Sequence, residues 1–121
     1  MKTLLIVEDQ EDVRELIKIT LEEDGYEIHE ADNADAALAV ARDLRPALML
    51  LDVMMPGSID GLQLCRRVRA DPRLSGAKIV MLTARAQASD RADALAAGAD
   101  AYLSKPFSPL ELETVVRRLA S

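Results

Sequence analysis

Tryptophan is absent from the chain, and the aromatic residues amount to two tyrosines and one phenylalanine in 121 positions. Half of the residues are apolar, so the core has to be assembled from Leu, Ile, Val, Met and a large share of Ala, the residue best suited to closely packed helices. Cys65 is the only cysteine, which excludes an internal disulfide and a thiolate metal cage. It stands with Leu64 and Val68 on one helical face and reads as core filling, with no second cysteine to give it a redox role. Positive charge is also in short supply: 15 Lys and Arg against 21 Asp and Glu give a net charge of -6. That argues against nonspecific binding to nucleic acid or to an anionic membrane surface, both of which need clustered Lys and Arg. Long apolar runs are missing as well. The N-terminal MKTLLIVEDQ breaks at Glu8, far short of the roughly 20 residues that span a bilayer, and makes a poor signal peptide. A cytoplasmic protein with no membrane partner is expected.

No Pro/Ser-rich linker, low-complexity tract or internal repeat divides the sequence, and 121 residues suit one domain with a real core and are too few for two. Short apolar runs rich in β-forming residues recur at 4–7, 26–31, 47–51, 78–82 and 101–103. Helical patterns lie between them. Val13, Leu16, Ile17, Thr20 and Leu21 follow the spacing of one helix face, and Gly25 stops that helix. Ala34, Ala37, Leu38 and Ala41 mark a second helix that ends before Pro46; Leu64, Cys65 and Val68 mark a third that ends near Asp71-Pro72. An Ala-rich fourth helix covers 89–97 and closes at Gly98, and Leu112, Val115, Val116 and Leu119 mark a fifth. Five strand-helix units in strict alternation predict an α/β fold, a doubly wound five-stranded parallel sheet with helices on both faces and right-handed crossovers. The first, third and fourth runs are apolar on successive residues, as strands covered on both faces should be.

The stretch LLDVMMPG, residues 50–57, places a single acid, Asp52, between an apolar run and a turn. Taken alone, Asp52 reads as an aspartate emerging into solvent or capping the next turn. The other strand ends change that reading. In open α/β sheets ligands bind at the carboxyl ends of the strands, where the chain order switches direction. The first strand delivers Glu8 and Asp9 there, the third Asp52, the fourth Thr83 and the fifth Lys105, whereas the second ends in Ala31-Asp32-Asn33, an ordinary N-cap sequence. If four strands converge on a site and the second does not, the second belongs at an edge, which suits the order 2-1-3-4-5. Three carboxylates within a few ångströms repel by several kcal/mol at an intermediate effective dielectric, so such a cluster calls for a cation. Oxygen ligands without His or Cys favour a hard ion, and Mg²⁺ keeping several waters fits a few carboxylates plus a substrate phosphate. The Thr83 hydroxyl and the Lys105 ammonium suit the oxygens of a phosphoryl group, and an aspartate can accept that group as an acyl phosphate.

LLIVEDQEDVRELI, LLDVMMPG followed by DG, IVMLTAR, GADAYLSKPF and the closing helix occur in this order along the chain. Through them the chain resembles the receiver domain of two-component response regulators, over essentially all of residues 1–121 as a single domain. The resemblance implies a flavodoxin-like (βα)5 fold, with Asp52 as phosphoacceptor and Glu8 and Asp9 as the acidic pair. Asp9 and Asp52 would bind Mg²⁺ with help from the Met54 backbone carbonyl. Thr83 and Lys105 would contact the phosphoryl oxygens, Tyr102 would be the aromatic switch, and Ala84 matches the small residue that leaves the acceptor accessible. A cis Lys105-Pro106 bond is expected, both from the resemblance and because Lys105 must turn back across the strand ends while the chain leaves for the last helix. The partners implied are a histidine kinase or histidine phosphotransfer protein, a downstream protein or an output domain outside this chain, and a second phosphorylated copy. The family usually has a shorter loop between Met-Pro and Asp-Gly; residues 56–61 carry one residue more. The metal ligands are expected to survive this, with the change falling on the start of the third helix and on the nearby surface where a kinase would dock.

Other readings remain for single residues. Thr83 alone would be a cap, Lys105 alone a solvated charge, and Tyr102 a half-buried strand residue with its hydroxyl in water. His29 lies on the second strand far from the strand-end site, and Arg117-Arg118 complements a helix dipole. Three rival functions can be set beside phosphorylation-dependent signalling. A phosphotransferase with an Asp nucleophile needs a general acid and a substrate cap, and no segment is long enough for a cap. A nucleotide binder needs a Gly-rich phosphate loop where this chain has EDQEDV. An interaction domain working without phosphorylation would not need the intact acceptor set. The chain is expected not to be an enzyme, beyond catalysing its own phosphorylation and dephosphorylation.

Overall fold

All five apolar runs form strands, and they pair in parallel. A computed structural model describes residues 2–55, 57–74, 76–84 and 88–120, leaving aside the side chains of 88–90. Pro56 and Arg85, which belong to two of the sequence motifs, lie outside the described residues. The strands are β1 (Thr3–Val7), β2 (Glu27–Ala31), β3 (Leu48–Asp52), β4 (Lys78–Thr83) and β5 (Ala101–Ser104). They form one sheet in the order β2-β1-β3-β4-β5, so β2 stands at an edge as expected. The helices α1 (Glu11–Glu22), α2 (Ala34–Leu44), α3 (Gly61–Ala70), α4 (Ala88–Ala96) and α5 (Pro109–Ala120) alternate with them.

The two-residue periodicity of the strands divides the core into two clusters, one on each face of the sheet. Leu4, Ile6, Leu48, Leu50, Val80, Leu82 and Leu103 pack under Ile17 and Leu21 of α1 and Leu112 and Val116 of α5. Leu5, Val7, Met49, Leu51, Ile79 and Met81 pack under the small residues of α2 and α4 and under Leu64, Cys65 and Val68 of α3. Alanine at 34, 37, 41 and 94 lets α2 and α4 lie close to the sheet, and that is how a core almost without aromatics closes. β1, β3 and β4 are buried nearly throughout, whereas edge strand β2 is mostly half-exposed.

Local chemistry fixes the ends of the helices. Asn33 caps α2 by accepting from the Ala36 N–H at 2.8 Å, and the helix stops at Arg45, which is left-handed (φ 49°) just before Pro46. Asp60 and Gln63 form a reciprocal capping box at the start of α3. Ser108 and Glu111 do the same at α5, each accepting from the other's backbone N–H.

Candidate functional site

Parallel strands put all their carboxyl ends on one edge of the sheet, and register decides which residues emerge level with one another. Val7 pairs with Leu51, so Glu8 and Asp52, one step further along each chain, leave adjacent strands at the same height. Thr83 pairs with Ser104, which puts Lys105 just beyond. Side-chain alternation then divides these residues between the faces. Glu8, Asp52 and Lys105 share the parity of Ile6, Leu50 and Leu103, on the α1/α5 side; Thr83 shares that of Met81, on the α2–α4 side.

Carboxylate oxygens of Glu8, Asp9 and Asp52 lie within 4.8 Å of one another. Glu8 is fully buried, Asp52 is 4% exposed, and Asp9 is exposed. The Lys105 ammonium donates to the Glu8 carboxylate and lies 3.4 Å from Asp52 Oδ2. Asp52 Oδ1 accepts from the Met54 N–H at 3.2 Å, and the backbone N–H of Lys105 donates to the Thr83 carbonyl at 2.6 Å. The Lys105-Pro106 bond is cis, as expected. Thr83 is buried, Ala84 is exposed directly after β4, Pro106 is exposed, and Tyr102 is half-buried on β5 against the α2–α4 cluster.

Burial pushes the Glu8 carboxyl up to about 8, and Asp52 pushes it the same way through hydrogen bonding and like charge, against the opposing pull of Lys105. Burial by itself would lower the Lys105 pKa, but its bond to Glu8 and the negative charges of Asp52 and Glu8 outweigh that and raise it. The ammonium therefore already neutralises part of the acidic cluster, a pairing that strand-end reasoning had not placed. Three converging carboxylates also suit a hard divalent cation, which takes oxygen ligands. A groove of about 300 Å³ between Lys2, Tyr26, Leu48, Lys78 and Leu119 opens where β3 and β4 begin, at the opposite end of the sheet. The clustered carboxylates, not that groove, mark the chemistry.

Two contributors to this arrangement escaped the sequence reading. A Cβ on Gly61 would lie 1.9 Å from the Asp52 carbonyl oxygen, so the glycine of the Asp-Gly pair is dictated by close approach to the backbone of Asp52. The dipeptide was visible; what it touches was not. Arg14 donates to the Glu8 carbonyl at 2.7 Å and pairs with Glu30 at 3.1 Å, and nothing in the sequence distinguished it from a solvated helix charge. Cys65 is core filling as expected, its thiol pushed up to about 11 by burial.

Fold and site together define a doubly wound α/β domain with a lysine-braced acidic site at the carboxyl ends of its central strands. Residues 4–117 match the response regulator receiver domain, and the chain belongs to that family. It is 45% identical over 121 residues to the phosphate regulon transcriptional regulatory protein PhoB of Pseudomonas aeruginosa, with 97% of this chain and 52% of that protein covered. The chain thus spans about half the length of the curated relatives it matches. The chemotaxis response regulator CheY4 of Vibrio cholerae has a TM-score of 0.92 to this chain at 31% identity, with 98% of each covered. The receiver domain of a sensor histidine kinase of Pseudomonas aeruginosa PAO1, solved with a magnesium ion coordinated in its active site cleft, has a TM-score of 0.88 at 31% identity, covering 99% of this chain and 98% of that one. Among the described residues no helix is long and apolar enough to cross a membrane.

Proposed function

We propose that this chain is a cytoplasmic, phosphorylation-controlled signalling module in which Asp52 accepts a phosphoryl group from a histidine kinase or histidine phosphotransfer protein. The observation that carries this reading is the convergence of Glu8, Asp9 and Asp52 within 4.8 Å, with Lys105 at 3.4 Å from the acceptor. A carboxylate oxygen of Asp52 attacks the phosphorus; as the new O–P bond forms, the N–P bond of the donor breaks and its electron pair leaves on the imidazole nitrogen. Asp52 reacts as the anion, so no general base is required. Glu8, Asp9 and Asp52, with the Met54 carbonyl, would hold Mg²⁺, which when bound neutralises charge on the phosphoryl oxygens. The Lys105 ammonium and the Thr83 hydroxyl pair with those oxygens, and Ala84 leaves the approach open. The only reactions the chain catalyses are its own phosphorylation and dephosphorylation. Its output passes through the face made by α4, β5 and α5 to a downstream protein, an output domain or a second phosphorylated copy.

Acetyl phosphate serves as a small phosphodonor for the test. Mass spectrometry is expected to find the label on Asp52 in the presence of Mg²⁺, to find none with a chelator, and to find none in Asp52→Asn. Label on another residue, or undiminished labelling of the variant, rejects the mechanism. Mg²⁺ at ten times its Kd should stabilise the wild type by about 1.4 kcal/mol, seen as a rise of a few degrees in Tm, and Asp52→Asn should blunt that rise.

A further inference from the structure

Between Asp52 and α3 the chain leaves the sheet edge and then returns to it. It returns at Gly61, whose N–H donates to the Val53 carbonyl at 3.1 Å and whose Cα lies against the Asp52 backbone. On the way it makes a contact well outside the acidic cluster. Ser58 Oγ donates to Asp35 Oδ1 at 2.7 Å, and the Ser58 N–H donates to Asp35 Oδ2 at 3.3 Å. One residue thus uses both oxygens of one carboxylate, which sets the loop's direction as well as its distance. Gly57 next to it has φ 119°, and a Cβ there would stand 3.1 Å from Asp35 Oδ2, so the same approach is also shaped for glycine. Asp35 and Ser58 are both exposed, and what steadies Asp35 is its helix. Asp35 lies in the first turn of α2, where the helix dipole favours a negative charge, on a helix held by the Asn33 cap and by buried Ala34 and Ala37. From Ser58 the chain runs through buried Ile59 and the capping residue Asp60 straight back to Gly61.

We propose that Asp35 is a positioning residue for the acceptor: by clamping Ser58 it holds the loop after β3 so that the Met54 N–H stays on Asp52 Oδ1 and Gly61 stays seated on the Asp52 backbone. Asp35 touches no reacting atom. It acts through Ser58, in the stretch that carries one residue more than the family resemblance predicts. The proposal rests on the reading of Asp52 as phosphoacceptor.

Asp35→Ala, Ser58→Ala and Ser58→Thr in the full chain test it with two readouts. The first needs no metal. Amide hydrogen exchange at Met54 and Gly61 is expected to run about tenfold faster in Asp35→Ala while Leu50, in the middle of β3, is unchanged. Acceleration shared equally by Leu50 means general destabilisation and overturns the proposal. The second is the Mg²⁺ concentration giving half-maximal acetyl phosphate labelling. It is expected to rise about 3- to 10-fold, less than the roughly 10–100-fold typical of losing a group bonded directly to a metal ligand, with the rate at saturating Mg²⁺ kept. Ser58→Thr retains both donors and should match the wild type in both readouts, with Ser58→Ala intermediate. Wild-type exchange and a wild-type Mg²⁺ midpoint in Asp35→Ala overturn the proposal. A wild type that is never labelled on Asp52 defeats the acceptor reading instead, and the exchange measurement still decides whether Asp35 holds the loop.

Discussion

A methyl group on Gly61 would stand 1.9 Å from the Asp52 carbonyl oxygen and 2.9 Å from the Val53 Cα, and neither backbone atom can swing aside. Gly61→Ala must therefore move either the start of α3 or the end of β3, and the end of β3 carries the proposed acceptor. A loss of about 2–4 kcal/mol is expected in denaturant unfolding, in the range of a forced overpacking with backbone displacement. Gly76→Ala is the control, since a Cβ there meets nothing within 4 Å, and it should stay within about 0.5 kcal/mol of the wild type. Helix propensity and chain entropy both favour alanine over glycine, so similar losses in both variants would mean that the contact with Asp52 is not the source of the loss at position 61. Lys105 shows a comparable dependence on its neighbours from the side of charge. Glu8, just past β1, and Asp52, at the end of β3, are both buried, and the ammonium between them together with the raised Glu8 carboxyl relieves the cost of placing them so close.

Among the elements, α3 is tied at both ends by side chains, and the tie at its C-terminus titrates. Asp71 accepts from the Arg73 N–H at 3.0 Å, Nε at 3.1 Å and Nη2 at 2.9 Å, and Arg42 Nε lies 3.5 Å away. Hydrogen bonds from Arg73 hold its carboxyl at about 2, below the ordinary 3.8. A group depressed in the folded state contributes stability that is present above its unfolded pKa and is lost as pH falls through the folded one. Asp71→Asn should thus lower the unfolding midpoint near neutrality, and its gap to the wild type should close as pH falls from 3.8 to about 2. A gap independent of pH across that window would show that the carboxylate charge contributes nothing. Element existence was legible in the sequence because apolar periodicity reports which face is buried. Boundaries were legible only to within a residue or two. β3 runs to Asp52 because the acid still pairs with Leu82, and α1 starts at Glu11 because its first turn faces water and carries no apolar signal. The strand-end acids and Lys105 could be read because a parallel sheet sends every carboxyl end to one edge. The Asp35–Ser58 clamp spans 23 residues of sequence, and Arg14 meets a backbone carbonyl; neither leaves a trace in periodicity or composition.

In the whole molecule the proposed output face straddles the sheet: α5 lies on the side whose parity Asp52 shares, whereas α4 and Tyr102 lie on the other. Asp52, Glu8 and Lys105 have the parity of the α1/α5 side, whereas Thr83 and Tyr102 belong with the α2–α4 cluster, so a signal from Asp52 has to cross the sheet edge to reach α4. Thr83 stands next to that crossing in register. It follows Leu82, the partner of Asp52, and it pairs with Ser104, two residues from Tyr102 on the same face of β5. Residues so placed are diagonal neighbours, about 7–8 Å apart and within reach of an aromatic side chain. On the proposed mechanism, phosphorylation would add charge and acceptor oxygens at Asp52 that attract the Thr83 hydroxyl, and its departure from the α4 side would open space toward which half-buried Tyr102 could move. A phosphoryl group can shift such a two-state equilibrium only by its different interaction with each state, and on this proposal the Thr83 hydroxyl carries that difference. Thr83→Ala should therefore leave labelling of Asp52 largely intact and uncouple it from Tyr102. The measurement compares Tyr102 NMR shifts with and without beryllofluoride, a stable phosphoryl mimic, in wild type and Thr83→Ala. Tyrosine fluorescence serves as well in a Tyr26→Phe background, since Tyr26 is the only other tyrosine and lines the groove at the opposite end of the sheet. The wild type should respond and the variant should not; an equal Tyr102 response in both proteins would sink the coupling and leave the α4 side to be switched by some route that does not pass through Thr83.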